Sequence, residues 1–529
     1  MEATSTSMPI GTKRTWIIWV GSAPSEYVSE EFERRNLGIR QLSTLDEIRK
    51  FLSLSRAIVF CGANAEQAEL LLELAADCVN YGLKLYSLSD DEAFQNNLLL
   101  RIWEGYGKAV NTPLSLWTKS SAVPGYELAQ ECLNHDPGPS PDGQISIEPP
   151  LATLVAPGSV GVTQLLLSRA FYDCTKLDLY PLGGSFSGAA VFRVFATLKD
   201  GQQLRRPLPF YAKIAKKAKI QRELENYRDF VLGAIPFNLR PNPITERCVL
   251  PHQSHVFGIL VGNFVESSDA LWEAAQRGRG TSPTYCLFDN ALRGWRLDAT
   301  IEDKISVQEE FDRSKLNVYP DRVPTETVGH AKSLGLERTP QNLVSSLKRL
   351  AAQPHGISVI HGDLHVDNIR ARGGDAVLID FYAVRVGPTA FDAAVLETSL
   401  AFRRYGNGCC AECCRQECQK CSSCDEDRSW ESTIDALYAP EAFLRPPDAA
   451  QQQHQREWLW NSVRQIRMFA LSAQASEFEY QAVVAFTLLR RSIHTPSPTY
   501  PLSRLAYSLV IADRLIKSLE QQPGLMRGA

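Results

Sequence analysis

The stretch SVIHGDLHVDNIRARGGDAVLIDFYA, which begins at Ser358, constrains the fold of this chain more than any other. Its two apolar runs, ISVI and AVLI, are typical of buried strands, and the glycines in RARGGD predict a hairpin between them. The first strand is followed by a tight turn at Gly362 and by a loop, which together carry the polar side chains of His361, Asp363, His365 and Asn368. The second strand ends in Asp380. Both acids are therefore predicted to project from strand ends into the same neighbourhood.

This set of side chains matches the needs of phosphoryl transfer from ATP. That reaction requires a carboxylate that orients the attacking hydroxyl and accepts its proton, and oxygen ligands that hold Mg²⁺ against the phosphates. Asp363 fits the first role, and Asn368 and Asp380 fit the second. The alternative is that Asp363 and Asn368 only cap turns, which is the usual role of Asp and Asn in loops.

In these residues the sequence resembles the aminoglycoside phosphotransferase and choline kinase group, whose members share the protein-kinase-like fold. The residues that match the catalytic loop and the metal-binding strand end of that group are His361, Gly362, Asp363, Leu364, His365, Asn368, Ile379, Asp380 and Phe381. The order and the spacing of the two motifs both agree with the family pattern. The resemblance implies a bilobal α+β domain that uses ATP and Mg²⁺.

A phosphotransferase of this fold also needs a glycine-rich turn over the phosphates and a lysine on a nearby strand. In LYPLGGSFSGAAVFRVFATL, small residues separate two strand-like runs, so backbone N–H groups could approach phosphate oxygens without interference from a Cβ atom. We assign this turn to Gly183, Gly184, Ser185 and Gly188. An ordinary hairpin is the alternative. The phosphate-binding amine is assigned to Lys213, at the end of the strand-like run LPFYAK.

An acid on the following helix normally holds such a lysine in place, and Glu223 and Glu225 compete for this role. Glu223 lies one turn before Tyr227 and beside Leu224 on the apolar face of the predicted helix, whereas Glu225 is rotated away. We therefore assign Glu223, with a solvated helix charge as the alternative. Val265 is expected near the adenine from its position in the chain alone.

Asp392 already begins an apolar helix, and the resembled family has an acid in a comparable place that supports the catalytic loop. Only eleven residues separate Asp380 from Asp392. This leaves little room for the long phosphorylated activation segment that protein kinases use as a switch. The short spacing favours a small-molecule acceptor over a protein acceptor.

From Thr15 to about Cys132, short β-branched runs alternate with amphipathic stretches, a pattern typical of βα units on a parallel sheet. An α/β domain of the receiver-like, flavodoxin-like kind over residues 1–132 fits this pattern. A working phospho-receiver needs acids beyond its first and third strands, but the sequence has WVGSA and FCGAN there. We therefore expect a docking or sensing module that is not phosphorylated.

With 529 residues the chain is too long for one ordinary core. Prolines and glycines in NHDPGPSPDGQISIEPP predict a linker over residues 133–150. Strand-like segments then give way to long helical ones. Residues 151–266 are therefore predicted to form the N-lobe, and residues 267–529 the helical C-lobe, of a bilobal α+β domain of the protein-kinase-like kind.

Charge and the N-terminal segment narrow the class of partners. The 56 Lys and Arg balance 60 Asp and Glu, for a net charge of −4, so no positive field is expected to attract nucleic acid or an anionic membrane. The N-terminal apolar run, WIIWV, is too short for a signal peptide or a membrane span. We expect a cytoplasmic protein.

Seven of the 13 cysteines crowd into CCAECCRQECQKCSSC, a predicted insertion over residues 409–424. Two-residue gaps separate Cys410 from Cys413 and Cys418 from Cys421, a spacing that allows two thiolates to bind one tetrahedral Zn²⁺. A structural zinc site and a redox-labile loop without a fixed metal are the two alternatives. Disulfides are disfavoured in a chain that is expected to be cytosolic.

The leading hypothesis is an ATP-dependent phosphotransferase that acts on a hydroxyl of a small molecule, with the N-terminal domain as a partner-binding or sensing module. A nucleotide-binding pseudokinase that serves as a scaffold is the second hypothesis. An atypical protein kinase is the third. No residue of the predicted catalytic set is missing, which favours the enzyme.

Overall fold

The fold is that of a computed structural model. It describes residues 14–62, 65–106, 114–117, 125–138, 140–141, 145–182, 189–199, 208–250, 257–405, 422–443 and 457–525. The chain divides into two compact units: the first contains Met1–Arg222 and Asn242–Phe264, and the second contains Glu223–Pro241 and Val265–Ala529. The division after Phe264 falls close to the lobe boundary predicted at residue 266.

A parallel sheet occupies the N-terminal part of the first unit. Its strands are β1 (Trp16–Gly21), β2 (Gly38–Gln41), β3 (Ser55–Cys61), β4 (Lys84–Leu88) and β5 (Leu114–Trp117). The accompanying helices are α1 (Glu26–Glu33), α2 (Leu45–Phe51), α3 (Ala65–Tyr81), α4 (Glu92–Tyr106) and α5 (Gly125–Asn134). The strand order β2-β1-β3-β4-β5 is that of flavodoxin-like doubly wound sheets. The predicted parallel α/β architecture is confirmed, and its receiver-like character stays a prediction.

The central strands of this sheet are apolar on both faces because both faces are covered. Ile18 of β1 and Ile58 of β3 belong to one buried cluster, whereas Ile17 and Val59 belong to another. Alternate residues of each strand thus point into opposite cores, as the two-residue period of a strand requires.

The ends of β1 and β3 are joined to neighbouring strands by backbone hydrogen bonds, and Trp19 Nε1 also donates to the Ser22 carbonyl at 2.7 Å. Both strand ends use glycines with positive φ, which is 94° at Gly21 and 150° at Gly62. The Ser22 N–H donates to the Cys61 carbonyl at 3.0 Å, and the Gly62 N–H donates to the Leu88 carbonyl at 3.2 Å. These two described strand ends carry no carboxylate, as the sequence indicates.

A second sheet lies in the same unit. Its strands are β6 (Ser146–Glu148), β7 (Cys174–Pro181), β8 (Ala190–Leu198), β9 (Phe210–Lys216) and β10 (Phe257–Asn263), in the order β10-β9-β8-β7-β6. Strands β7 to β10 pair in antiparallel fashion, and β6 pairs in parallel with β7. Helix α6 (Val160–Ala170) supplies Leu166 and Leu167 to the core of this sheet. Helix α7 (Lys217–Asn226) contains the boundary between the units.

The segment predicted as a linker contributes structure at both ends. Helix α5 extends to Asn134, and β6 adds a strand to the edge of the second sheet. Ile147 of β6 packs against the buried cluster of that sheet. A three-residue strand beside prolines has too short a pattern to be distinguished from a linker in the sequence.

The second unit combines two small sheets with many helices. One sheet contains β11 (Asp269–Ala270), β14 (Ile369–Arg372) and β15 (Asp375–Leu378), and the other contains β12 (Thr300–Glu302), β13 (His355–Ile360) and β16 (Arg385–Pro388). The helices are α8 (Leu271–Gln276), α9 (Thr281–Cys286), α10 (Arg293–Leu297), α11 (Val307–Arg313), α12 (Thr325–Ser333), α13 (Pro340–Lys348), α14 (Phe391–Ala401), α15 (Ser422–Leu437), α16 (Glu457–Ala473), α17 (Glu479–Arg491) and α18 (Leu502–Glu520). The strands of the second sheet come first in the chain and the long helices α16 to α18 come last, whereas the strands of the two small sheets alternate with helices.

Helix α14 is the centre of this unit, because every one of its residues is buried. A buried ion pair joins it to α16: Arg467 donates to both carboxylate oxygens of Glu397, at 3.0 and 2.7 Å. The Tyr480 hydroxyl of α17 donates to the same carboxylate at 2.8 Å. Such a pair is stable only when its remaining polar atoms are also satisfied, and it fixes the register of three helices.

None of the helices in the described ranges is long and apolar enough to cross a bilayer.

Candidate active site

The loop between β13 and β14 is held by the buried carboxylate of Asp392, in the first turn of α14. The His361 N–H donates to Asp392 Oδ2 at 2.6 Å, and the Gly362 N–H donates to Oδ1 at 3.0 Å. Burial raises the pKa of Asp392, while the neighbouring His361 side chain and the two backbone donors act in the opposite direction. The carboxylate thus satisfies two backbone groups at the point where the chain leaves β13.

The turn predicted at Gly362 is present and requires glycine for two reasons. The φ angle of Gly362 is 76°, in the left-handed region that side chains disfavour. A Cβ atom at this position would lie 2.4 Å from the carbonyl oxygen of Ala383. The close approach of these two segments therefore depends on the absence of a side chain.

The carboxylate of Asp363 is exposed to solvent, whereas its backbone carbonyl is held by two hydrogen bonds. Its side chain is 56% exposed, and Oδ2 lies 4.0 Å from His365 Nε2. The Asp363 carbonyl accepts from the His365 N–H at 2.8 Å and from Asn368 Nδ2 at 2.8 Å. The carboxylate is therefore accessible to a substrate while its main chain is held in position.

Asn368 is turned so that its amide oxygen is directed away from the loop backbone. The residue is 6% exposed, and its Nδ2 is occupied by the Asp363 carbonyl. Because an amide has one donor end and one acceptor end, this bond leaves Oδ1 for a ligand.

Ile379 connects the two motifs. Its N–H donates to the Asn368 carbonyl at 3.0 Å, and its carbonyl accepts from His361 Nε2 at 2.9 Å. Asp380 follows with φ 64° and ψ 72°, a left-handed conformation that is uncommon for a residue with a side chain and clusters at functional sites. Hydrogen bonds thus bring the backbones of Asp363, Asn368 and Asp380 into one assembly.

The far end of the loop has a second support, which the sequence did not reveal. Asp367 Oδ1 accepts from Trp272 Nε1 at 3.1 Å, and Oδ2 accepts from Arg403 at 2.7 Å. The Arg403 guanidinium also lies over the Trp272 ring, 4.5 Å from its centroid. One turn earlier in α14, the Ser399 hydroxyl accepts from the Val366 N–H at 3.1 Å. Hydrogen bonds to residues outside the loop therefore hold it at its beginning, at Val366 and at Asp367.

The residues present fit Mg²⁺ better than a cation that needs an all-protein cage. Mg²⁺ prefers oxygen ligands and commonly binds through one or two protein groups plus phosphates. The Asn368 amide oxygen and the Asp380 carboxylate are ligands of this kind. Within the described ranges, no group of three or more His, Cys, Asp or Glu could hold a metal ion. A partner such as a triphosphate is thus needed to complete the coordination.

The residues assigned upstream of the loop occupy ordered elements. Lys213 lies inside β9, between Val191 of β8 and Leu260 of β10, rather than at the strand end that the sequence indicates. The strand is longer than expected because β9 pairs with β10 along its full length. Lys213 is 8% exposed. Its role stays a prediction.

In α7 the two competing acids differ in burial. Glu223 is 4% exposed, whereas Glu225 is exposed, which agrees with the helix phase that favoured Glu223. The assignment of Glu223 to Lys213 stays a prediction. The Val265 carbonyl accepts from the Ser268 hydroxyl at 2.7 Å, and its expected place near the adenine is untested.

Two predicted features lie outside the described residues. Gly183, Gly184, Ser185 and Gly188 fall in the range 183–188, although the flanking strands β7 and β8 are paired, and the Leu182 N–H donates to the Val191 carbonyl at 2.8 Å. The cysteine cluster is also outside from Cys409 to Cys421. No zinc site is present in the described part of the chain.

The sequence of the C-terminal unit matches a known family. Residues 283–412 match the model of the phosphotransferase enzyme family, APH. This range contains Asp363, Asn368, Asp380 and Asp392, so the predicted resemblance to aminoglycoside phosphotransferases is confirmed for this part of the chain. No curated protein matches the sequence.

Several solved structures are similar to this chain at low identity. A glucosamine kinase is 14% identical over 68% of this chain and 83% of its own, with a TM-score of 0.32. A choline/ethanolamine kinase family protein from Mesorhizobium loti is 14% identical over 59% of this chain and 92% of its own, with a TM-score of 0.26. The amicoumacin kinase hAmiN, in complex with AMP-PNP, Ca²⁺ and Ami, is 12% identical over 70% of this chain and 95% of its own, with a TM-score of 0.30.

Proposed function

We propose that this protein transfers the γ-phosphoryl group of ATP to a hydroxyl of a small-molecule acceptor. The observation that carries this proposal is the hydrogen-bonded assembly in which Ile379 joins the backbone before Asp380 to the loop of Asp363 and Asn368. An outward carboxylate beside two oxygen ligands is the set that phosphoryl transfer requires.

In the proposed reaction, Asp363 accepts a hydrogen bond from the acceptor hydroxyl and takes its proton as the oxygen attacks the γ-phosphorus. A bond forms between the acceptor oxygen and phosphorus, the bond from phosphorus to the β,γ-bridging oxygen breaks, and ADP leaves. Asn368 and Asp380 would hold Mg²⁺, which neutralises charge on the phosphates when bound. Asp392 acts through the backbone, because it positions the residues before Asp363.

The remaining roles follow from the family resemblance. Lys213 would bind phosphate oxygens, and Glu223 would hold that lysine. The turn at Gly183, Gly184, Ser185 and Gly188 would cover the phosphates with backbone N–H groups. Val265 would lie near the adenine.

The segment after Asp380 supports a small-molecule acceptor. Residues 381–390 contain a single 3₁₀ turn and β16 before α14 begins, which leaves no long activation segment between Asp380 and Asp392. We also infer a cytoplasmic location and a protein partner for the receiver-like N-terminal domain, and neither nucleic acid nor membrane as a ligand.

The decisive experiment is Asp363→Ala. Transfer of ³²P from [γ-³²P]ATP to a small-molecule cell extract should fall about 10²- to 10⁴-fold, as for loss of a general base. The affinity for Mg-ATP, measured by calorimetry, should change little. Because the Asp363 side chain is half exposed, the variant is expected to fold.

Asp375→Ala, at the first residue of β15, is the matched control and should retain the wild-type rate. If wild type and Asp363→Ala have equal rates while both bind Mg-ATP, the scaffold hypothesis replaces the enzyme. Label that appears on proteins of a whole lysate, rather than on small molecules, would overturn the substrate preference.

A further inference from the structure

The chain that follows the middle of α17 packs against the supports of the catalytic loop. The Arg490 guanidinium lies 5.5 Å from the centroid of the Phe391 ring, and Phe391 immediately precedes Asp392. Further on, the Tyr500 hydroxyl donates to the Ser399 carbonyl at 3.4 Å, and the Arg404 N–H donates to the Thr499 carbonyl at 2.8 Å. Residues 490–500 thus lie beside the helix that holds the Asp363 loop.

Two consecutive arginines in this segment lack hydrogen-bonding partners. In the part of the chain that the structure describes, neither Arg490 nor Arg491 makes a hydrogen bond or an ion pair through its guanidinium, and Arg490 Nη1 and Arg491 Nε are inaccessible to solvent. Other arginines of this unit, such as Arg403 and Arg467, are paired with carboxylates. Leaving these two buried N–H donors unpaired is costly, and the Arg491 guanidinium otherwise lies over the Tyr500 ring, 4.7 Å from its centroid. This arrangement is typical of a site that a ligand completes.

The electrostatic surroundings of Arg490 point in the same direction. Burial lowers the pKa of Arg490, and Asp363 is the acidic group that opposes this change. Burial and the charges of Arg491 and Arg490 lower the pKa of His494 to about 4. The neighbourhood of Asp363 on this side is therefore cationic.

We propose that Arg490 and Arg491 bind an anionic group of the acceptor, a carboxylate or a phosphate monoester, while its hydroxyl faces Asp363. This inference rests on the proposed function and names its substrate class. Guanidinium groups bind planar oxyanions through paired N–H donors. Without such a cationic site, Asp363 and Asp380 would repel an anionic acceptor, and with it a cationic acceptor is disfavoured.

A purely structural role for the two arginines is the alternative. Cations near the C-terminus of a helix stabilise it through the helix dipole, and Arg490 and Arg491 end α17. That role depends on charge alone and does not discriminate among acceptors. The choice of acceptor by the enzyme therefore separates the two explanations.

The first test uses the wild-type protein and sorts acceptors by charge before the reaction. A small-molecule cell extract is passed over an anion exchanger at pH 7, and each fraction is incubated with the protein, Mg²⁺ and [γ-³²P]ATP. The acceptor activity should lie in the bound, anionic fraction. Activity in the unbound fraction overturns the inference and leaves the proposed function intact. No transfer into any fraction contradicts the proposed function itself.

Pretreatment of the bound fraction with a phosphatase, which is removed before the assay, distinguishes the two sources of the anion. Loss of acceptor activity identifies a phosphate monoester, and its survival identifies a carboxylate. Either result agrees with the inference.

The second test uses Arg490→Gln with the bound fraction as the acceptor. The KM for acceptor, expressed as volume of the fraction, should rise at least tenfold, with kcat reduced less than threefold and Mg-ATP affinity unchanged. Arg490→Lys should recover part of the loss, since it keeps the charge but not the paired donors. Arg349→Gln, at an exposed arginine that ends α13, is the control.

An unchanged acceptor KM in Arg490→Gln, or a loss confined to thermal stability, would show that Arg490 only stabilises α17. Arg491→Gln provides the same measurement if Arg490→Gln does not fold. Equal acceptor KM values for a folded Arg491→Gln and wild type would likewise overturn the inference.

Discussion

The strand ends of the N-terminal sheet and those of the C-terminal unit use the same backbone device for different purposes. β1 ends in a glycine in the positive-φ region, Gly21, and β13 is followed closely by another, Gly362. After β1 and β3, the N–H groups of Ser22 and Gly62 donate to carbonyls of neighbouring strands. After β13, the equivalent donors bond to a carboxylate from a helix. The two regions therefore differ in the acceptor: a neighbouring strand accepts at the N-terminal strand ends, whereas a side chain distant in sequence accepts after β13.

Asp380→Asn is expected to have the largest effect, because it removes the negative charge of a proposed metal ligand at a strand end of the C-terminal unit. We expect transfer to fall roughly 10³-fold, because charge on the phosphates is no longer neutralised. The Mg²⁺ concentration that gives half-maximal activity should rise. Titration of Mg²⁺ against activity checks both effects, with Asp375→Asn as the control. An unaltered Mg²⁺ dependence would exclude Asp380 as a ligand.

Asp392→Asn tests whether the helix carboxylate is what distinguishes the two regions. Asparagine has one acceptor oxygen, so either the His361 or the Gly362 N–H would face an NH₂ group. Transfer should fall roughly 10- to 100-fold, as is common for residues that orient a site from outside it. The transfer rate of this variant, the pH dependence of that rate and the affinity for Mg-ATP should all be measured. Wild-type turnover in this variant would mean that the loop needs no carboxylate support.

Gly362→Ala tests the turn that both regions share. It adds left-handed strain and a contact with the Ala383 carbonyl, so the free energy of unfolding should fall by about 1–3 kcal/mol. Gly373→Ala is the matched control, because φ is 60° there and a Cβ atom would meet nothing within 4 Å. Urea denaturation of both variants separates the two costs, because Gly373→Ala adds only the left-handed strain whereas Gly362→Ala adds the contact with Ala383 as well. Equal losses would show that the Ala383 contact is easily relieved.

Ser22→Ala is expected to have the smallest effect, since only the backbone of Ser22 is used after β1. Transfer should remain within twofold of wild type, and the midpoint of thermal unfolding should change little. A large loss of activity would contradict this expectation and would indicate that the strand ends of the N-terminal sheet contribute to the reaction.

Local chain order made part of the site predictable. Asp363, Asn368 and Asp380 follow strands within one short stretch, so their association could be inferred from strand and hairpin patterns. The preference for Glu223 over Glu225 followed from helix phase in the same way. By contrast, Trp272 and Arg403 reach Asp367 from 95 and 36 positions away, and no local pattern encodes such contacts. The length of β9 and the existence of β6 were missed because pairing with neighbouring strands decides them.

Helix α14 has a mechanical consequence for the loop of Asp363. Asp392 at its start holds the beginning of the loop, Ser399 holds the middle through Val366, and Arg403, just beyond its end, holds Asp367. The loop and helix α14 are thus expected to move together as one rigid body. A force applied at Arg403 would therefore be transmitted to the carboxylate of Asp363.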